Sequence, residues 1–546
     1  MEQVSGNHRV LKLDSRDNVL VALSSLTADE TIVFGGKKIK LPAAVPAKHK
    51  LVESDMPAGA QITMYGVTVG KLAEAVPAGG VLTTKNLRHE TNGFSAERHH
   101  SEWSAPDVSK WQQRRFDGYR RADGQVGTRN YWLVLPLVFC ENRNVELLRE
   151  AFEEELGYAR HNQYRQQVRE LAALQAKASR DDAARGTLPE RLFSNIDGIK
   201  FLLHQGGCGG TREDARALCG LLAGYIHHPN VAGATVLSLG CQNSEVSILQ
   251  EEIHRRDPQF SKPILIFDQQ KQGLGSSLLE HAISQTFAGL AEANKLERTP
   301  APLSALTIGL KCGGSDGFSG ISANPALGHV SDMLVALGGK TILSEFPELC
   351  GVEQNLVDRS VSQPVAERFV HLMRTYAARA KAVHSGFEMN PSPGNIADGL
   401  ITDAMKSAGA AKKGGTSPVS DVLDFPEYVT ATGLNLLCTP GNDVECVTAQ
   451  VGAGANIVLF TTGLGTPTGN PIAPIVKVAT NSAMATRMSD IIDLDAGAII
   501  SGESTVQQTA EEILEMVIET ASGRHQTKAE ITGQSDFIPW KRGISL

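Results

Sequence analysis

Three cysteines stand just past apolar runs in this chain. Ile199–Leu203 leads into His204-Gln-Gly-Gly-Cys208-Gly-Gly, Ala234–Leu239 into Gly240-Cys241-Gln242-Asn243, and Leu306–Leu310 into Lys311-Cys312-Gly-Gly-Ser-Asp316. Loops so rich in glycine carry an entropic cost and bury little apolar surface, so they belong where backbone must approach something closely. Carboxyl ends of parallel strands form the edge at which α/β proteins bind ligands. If the three strands are neighbours in one sheet, the thiols of Cys208, Cys241 and Cys312 would meet there. Their spacing of 33 and 71 residues is no zinc-ribbon pattern. Soft sulfur ligands would select iron, an iron–sulfur cluster or zinc, and an open metal position would suit removal of a hydroxyl. The alternative is that each thiol is a small core residue beneath its loop.

Other groups have the right types to work beside such a centre. His204 ends a strand four residues before Cys208 and reads as general base, metal ligand or hydrogen-bonded structural residue. Glu345 and Glu348 flank Pro347 at another strand end, where carboxylates serve as base, ligand or hydroxyl acceptor, or merely as a solvated turn. Asp316 and Asn324 in the central loop suit hydrogen bonds to a polyol, as does Asn395 in Asn390-Pro-Ser-Pro-Gly-Asn395. That last segment reads as non-helical, because each proline pushes its predecessor to extended geometry. Gly463-Leu-Gly-Thr-Pro-Thr-Gly469 is neither of the common nucleotide loops. With Thr461, Thr462, Lys477 and Asn481 it fits a carboxylate or hydroxyls at least as well. His49, in Ala47-Lys48-His49-Lys50, is a further substrate-binding candidate, and Arg129 and Lys311 are possible anion partners. Cys219, Cys350, Cys438 and Cys446 read as core, and Cys140 is open.

These groups need elements to carry them. Residues 1–90 alternate short strands with Gly-Gly and Pro-Ala-Gly turns, which reads as a small all-β module. A polar stretch over 91–114, with the surface pair His99-His100, reads as a linker. From 115 to 300, and again from 301 to 546, strands alternate with helical patterns, the signature of mainly parallel α/β sheets. Tyr158–Arg191 reads as a helical surface excursion, and Thr299-Pro-Ala-Pro302 as the boundary between the two α/β domains. At 546 residues the chain is too long for one core. Its net charge of −8 argues against a nucleic-acid footprint. No run of about 18 apolar residues exists to suggest a membrane span, and Met1–Asp14 lacks a signal-peptide core. A cytoplasmic location is the expectation, where eight cysteines are thiols, ligands or core residues rather than disulfides.

The phrases DNVLVAL, AKHK, MYGVTVG, DGQVGTRNYW, HQGGCGGT, SLGCQN, KCGGSDGFSGISANPALG, SEFPELCGVEQN, NPSPGN, GLNLLCTPGND and FTTGLGTPTG together resemble the altronate/galactarate dehydratase family, nearly end to end. The resemblance implies an N-terminal SAF (β-clip) domain, an α/β catalytic region and iron(II) dependence, with a cluster as the variant. It implies loss of water from a small-molecule sugar acid, with D-altronate going to 2-dehydro-3-deoxy-D-gluconate in hexuronate catabolism, and a homo-oligomer. On this reading iron lies near Cys208, Cys241 and Cys312, and His204 or a carboxylate such as Glu345 takes the proton from carbon 2. Galactarate dehydration, sulfolactate desulfonation and a non-catalytic sugar-acid-binding protein are the alternatives. Asp14 stands where the family has a histidine, and Gln242 where many members have glutamate. The segment after NPSPGN, IADGLITDAMKSAG, also departs from the family form.

Overall fold

The computed structural model describes residues 9–99, 101–160, 163–175 and 189–545. His100 and the middle of the expected excursion, 176–188, lie outside the described residues, as does Met1–His8 of the expected N-terminus.

The N-terminal module is built from antiparallel ribbons. Val10–Leu11, Val19–Ala22 and Lys50–Val52 form one sheet; Gln61–Met64, Val67–Leu72 and Leu87–Arg88 form another. Thr31–Phe34 pairs with Lys37–Lys40 across Gly35-Gly36, both at positive φ, the geometry a two-residue hairpin turn requires. Tyr65-Gly66 makes the equivalent turn in the second sheet, held by Asp17, whose carboxylate accepts from both backbone amides. The apolar face of this module, Val19, Ile62, Met64 and Val69, packs on Phe318, Ile321, Ile401 and Met405 of the C-terminal region. The module is thereby seated against the central glycine-rich loop.

Two parallel sheets follow. The smaller runs Gly198–Phe201, Tyr131–Pro136, Val231–Ser238, Ile264–Asp268 in spatial order. The larger has seven strands in the order Val419–Leu423, Gly433–Leu437, Lys340–Leu343, Thr307–Cys312, Ile457–Thr462, Ile475–Ala479, Leu494–Asp495. Every pairing in it is parallel. Thr307–Cys312 and Ile457–Thr462 are buried at all six positions, as central strands covered on both faces must be. The helix Arg212–His227 of the smaller sheet packs on Asp443–Gly452 of the larger. A Cβ on Gly224 would lie 2.1 Å from the Gly452 carbonyl oxygen, so only glycine allows this approach. One apolar cluster, from Leu133 through Leu221 to Val458, therefore spans both sheets.

Thr299–Pro302, expected as a boundary, is an edge strand paired antiparallel with Arg115–Arg120. An edge tolerates its prolines, which have no amide to donate. The expected non-helical Asn390–Asn395 segment contains the start of a short helix, Pro393–Ala397, with proline at its first turn, where the missing amide costs nothing. Ser392 and Asn395 close a capping box on it. Among the described residues no helix is long and apolar enough to cross a membrane.

Candidate active site

The seven-stranded sheet changes direction beside Thr307–Cys312, with later strands added on both sides of it. This is the topological position at which open α/β sheets bind ligands. The strand delivers Lys311 and Cys312 to a buried polar cluster. Glu345, from the end of the neighbouring strand Lys340–Leu343, sits at φ 66° and ψ 56°. A left-handed glutamate is strained, and such strain concentrates at functional sites. Its amide donates to Thr439 Oγ1 at 3.0 Å, which anchors the turn.

The carboxylate of Glu345 is held by two ammoniums: Lys311 on Oε1 and Lys413 on Oε2 at 2.9 Å. Lys413 also lies 2.8 Å from Cys312 Sγ, and that sulfur lies 3.4 Å from Glu348 Oε2. Lys406 closes the ring, 2.8 Å from Glu348 Oε1, and also donates to Asn390. Lys311 reaches Asp443 at 3.0 Å as well. Lys406 and Lys413, seven residues apart, come from consecutive helical turns, Asp403–Ala410 and Ala411–Gly414.

Burial pushes the Cys312 thiol up to about 12, Glu345 adding to the effect, so at neutral pH it is protonated. Burial works against the Lys413 ammonium, but Cys312, Glu345 and Glu348 outweigh it and raise its pKa. Burial would likewise raise Glu348, yet Lys406, Lys311 and Lys413 hold it down at about 2. The centre at pH 7 is a set of fixed ammoniums and carboxylates around a neutral thiol. A cavity of about 440 Å³ opens beside it, with Pro347 and Asn390 in its wall together with Trp540 and Lys541. That volume suits a small ligand.

The remaining candidates fall into other places. Asp316 is fully buried and saturated: Oδ1 accepts from Ser319, the Phe318 amide and Thr480, and Oδ2 from Asn481 at 3.0 Å and Lys48 at 3.0 Å. It ties the N-terminal module to the central loop, an organising role rather than open polyol recognition. Thr461 donates to Asn324 at 2.6 Å, and Thr462 accepts from the Gly465 amide. Asn395 donates to the Ser315 carbonyl at 2.7 Å, pinning the same loop. Lys477 donates to the Thr468 carbonyl, and burial lowers its pKa to about 8. His49 is half-buried beside Lys48, with Nδ1 3.3 Å from the Ala47 carbonyl. Arg129, an expected anion partner, is taken up by Glu530 inside the protein.

His204 takes the hydrogen-bonded structural place among its expected readings. Nε2 donates to the Pro136 carbonyl at 2.8 Å, and Nδ1 accepts from the Gly206 amide at 3.1 Å. Burial lowers its pKa, so the ring is neutral and both nitrogens hold backbone. The expected thiol trio also divides. Cys208 and Cys241 are exposed and follow strands of the smaller sheet, while Cys312 is buried at the end of a strand of the larger one. Sequence spacing carries no information on which sheet a strand joins.

Among the described residues, Cys312, Glu345 and Glu348 do bring three ligand atoms within 4.8 Å of one another. The donor set is a poor fit for iron there, because Lys311, Lys406 and Lys413 already pair with those carboxylates. Lys406 and Lys413 went unread in the sequence, since Asp403-Ala-Met-Lys406 and Lys412-Lys413-Gly-Gly look like ordinary surface. Their spacing of seven, which puts both on one helical face, was the available signal.

Asp14 and Gln242 are absorbed locally. Asp14 pairs with Arg16, and Gln242 bridges the Gly240 amide and Ser238 Oγ, bracing its own loop.

Comparison with known proteins covers the whole architecture. Residues 8–90 match the altronate/galactarate dehydratase SAF domain. Residues 118–294 match the second domain of D-galactarate dehydratase/altronate hydrolase, and residues 303–545 the C-terminal domain of D-galactarate/altronate dehydratase. Altronate dehydratase of Escherichia coli (strain K12) is 33% identical over 536 residues, covering 98% of this chain and 99% of that protein. Altronate dehydratase of Bacillus subtilis (strain 168) is 32% identical, with 98% and 99% covered. The L-threo-forming galactarate dehydratase of E. coli is 29% identical over 96% of this chain and 94% of its own length. With all three domains matched in order and full-length identity at this level, the chain belongs to the altronate/galactarate dehydratase family.

Proposed function

We propose that this protein is a hydro-lyase that removes water from a sugar acid, D-altronate in particular, giving 2-dehydro-3-deoxy-D-gluconate. The observation that carries the chemistry is the strained Glu345 between Lys311 and Lys413, with the Cys312 thiol against Lys413. The hydrogen on carbon 2 of an aldonate is very weakly acidic, so stabilising the enolate-like charge on the carboxylate is the main demand. Fixed ammoniums at Lys406 and Lys413 meet that demand without reorganising. Substrate approaches from the cavity at Asn390 and Pro347 and its carboxylate replaces part of the Lys406–Glu348 pairing. Glu345 takes the carbon 2 proton. The electron pair forms the carbon 2–carbon 3 double bond, and the carbon 3 hydroxyl leaves as water with a proton from an ammonium of the cluster. The enol product then tautomerises to the 2-keto acid.

D-Altronate is favoured over galactarate by the two altronate dehydratases that align over nearly their full lengths. The same reading divides the chain into a β module over 1–90, a linker over 91–114 and α/β domains over 115–300 and 301–546, and expects a cytoplasmic homo-oligomer within hexuronate catabolism. A panel of D-altronate, galactarate and sulfolactate, with detection of 2-keto acid and sulfite, tests the assignment. Turnover of D-altronate to a 2-keto acid supports it; sulfite release, or turnover of galactarate alone, replaces it with a sister reaction.

A further inference from the structure

Three cysteine-bearing loops meet in this protein, at a different edge from the one considered above. Within the smaller sheet, Gly198–Phe201, Tyr131–Pro136 and Val231–Ser238 lie side by side, and the chain returns on either side of the middle strand. Each of the three is followed within seven residues by a cysteine: Cys208, Cys140 and Cys241. All three are exposed, none is in a disulfide, and the other five cysteines are buried.

Backbone hydrogen bonds stitch their loops together at the cysteines themselves. The amide of Phe139, next to Cys140, donates to Gly206 O at 3.1 Å. The amides of Asn243 and Ser244, just past Cys241, donate to the carbonyl of Gly207, next to Cys208, at 2.9 and 3.2 Å. Gly207 has φ 99°, and a Cβ there would lie 2.3 Å from Leu137 O and 2.8 Å from Ser244 Oγ. Three loops meet at a glycine because nothing larger fits. Beside them opens a cavity of about 630 Å³, lined by Cys208, Asn142, Asn243 and Trp540 among others. The side-chain oxygen of Asn142 on its wall is buried without a hydrogen-bond partner.

We infer that this edge holds an iron–sulfur cluster on the thiolates of Cys140, Cys208 and Cys241. Cys312 has Lys413 against its sulfur, whereas among the described residues no ammonium is bonded to the sulfurs of Cys140, Cys208 and Cys241. Soft thiolates select iron–sulfur clusters, zinc or copper(I). A single tetrahedral ion with metal–sulfur bonds of about 2.3 Å draws its thiolates to about 3.8 Å from one another. Among the described residues these three sulfurs do not form a group with all ligand atoms within 4.8 Å of one another, the close approach a single ion requires. A polynuclear cluster holds its thiolates farther apart than one ion does. Three protein thiolates leave one cluster position for a ligand that is not protein.

The full-length chain, incubated anaerobically with ferrous iron and sulfide and then desalted, would be assayed for iron, acid-labile sulfide and visible sulfide-to-iron absorption. Unmodified protein and Cys312→Ser should carry equal iron and sulfide; Cys140→Ser, Cys208→Ser and Cys241→Ser should each lose both together. Iron without sulfide, or retention of both in the Cys140 and Cys241 variants, would overturn the assignment, as would loss confined to Cys312→Ser. A second reading needs no variant. Iodoacetamide labelling followed by mass spectrometry should find Cys140, Cys208 and Cys241 protected in the loaded protein and modified in the unloaded one; equal labelling in both would be equally fatal.

Discussion

The ammonium of Lys413 lies 2.8 Å from the sulfur of Cys312, and both groups are buried. An ammonium against a neutral thiol is a poor pairing by itself, and it persists because Glu345 Oε2 lies 2.9 Å from the same nitrogen. Lys413 is therefore set by Glu345, and Cys312 fills the remaining volume. If Lys413 supplies charge to the transition state, Lys413→Gln should lower kcat/KM by about 10²–10³-fold, the usual effect of losing one such donor. Thermal melting followed by circular dichroism checks that the variant is folded.

The protonated state of Cys312 has its own consequence. The thiolate is the reactive form, so a buried thiol held at about 12 is inert. In the unloaded protein at pH 8, iodoacetamide should modify Cys140, Cys208 and Cys241 well before Cys312. Peptide mapping over a time course reads the order directly.

Asp316 is one of the polar ties between the N-terminal module and the central loop, beside Lys48–Asp398 at 2.7 Å and Lys50 on the Gly399 carbonyl at 2.8 Å. Asp316→Ala would take an acceptor from Ser319, Thr480 and Asn481 and one of the two carboxylates from Lys48, which keeps Asp398. Removing one side of a buried, hydrogen-bonded charge pair costs about 3–5 kcal/mol. Asp316→Asn, which keeps the shape and one acceptor, should cost less. The first transition of a urea titration measures the difference.

Acid should weaken the contact between the two α/β sheets. Burial lowers His228 to about 3, and burial with Lys262 lowers His227 to about 4, from ordinary values near 6.5. Both rings are neutral when folded, so between about pH 3 and 6.5 the unfolded chain binds more protons and stability rises with pH. The full contribution is present above pH 6.5 and drains as pH falls. His228 Nε2 lies 2.9 Å from the Ala455 carbonyl, across the junction of the sheets. His228→Gln removes the titrating group and should flatten the slope of melting temperature between pH 4 and 6.5.

Much of this architecture was legible in the residues. Ile199–Leu203, Ala234–Leu239 and Leu306–Leu310 announce strands by their apolar runs, and the glycine loops after them mark sheet edges. The repeated Pro-Ala-Gly turns announce the β module. What local pattern does not encode is which strands share a sheet: the strand before Cys140 lies between those before Cys208 and Cys241, and the strand of Cys312 lies in the other sheet. That Thr299–Pro302 forms a strand is not legible locally, because a strand with two prolines is viable only at an edge, a tertiary property. Lys413 escaped because its role depends on Glu345, 68 residues away in sequence. Asp316 and Asn481 pair with each other, and Asn324 with Thr461 and the Gly409 carbonyl, partnerships that only the tertiary fold sets.

The most direct test is turnover of D-altronate by the purified protein, by Glu345→Gln and by Lys413→Gln, followed through 2-keto-acid formation and exchange of the carbon 2 hydrogen with deuterated solvent. The unmodified protein should form product, and the two folded variants should lose both product formation and exchange by about 10²–10⁴-fold, the range expected for a lost proton-transfer group. Undiminished exchange and turnover in folded Glu345→Gln would contradict the assignment of this centre as the place where the proton is removed.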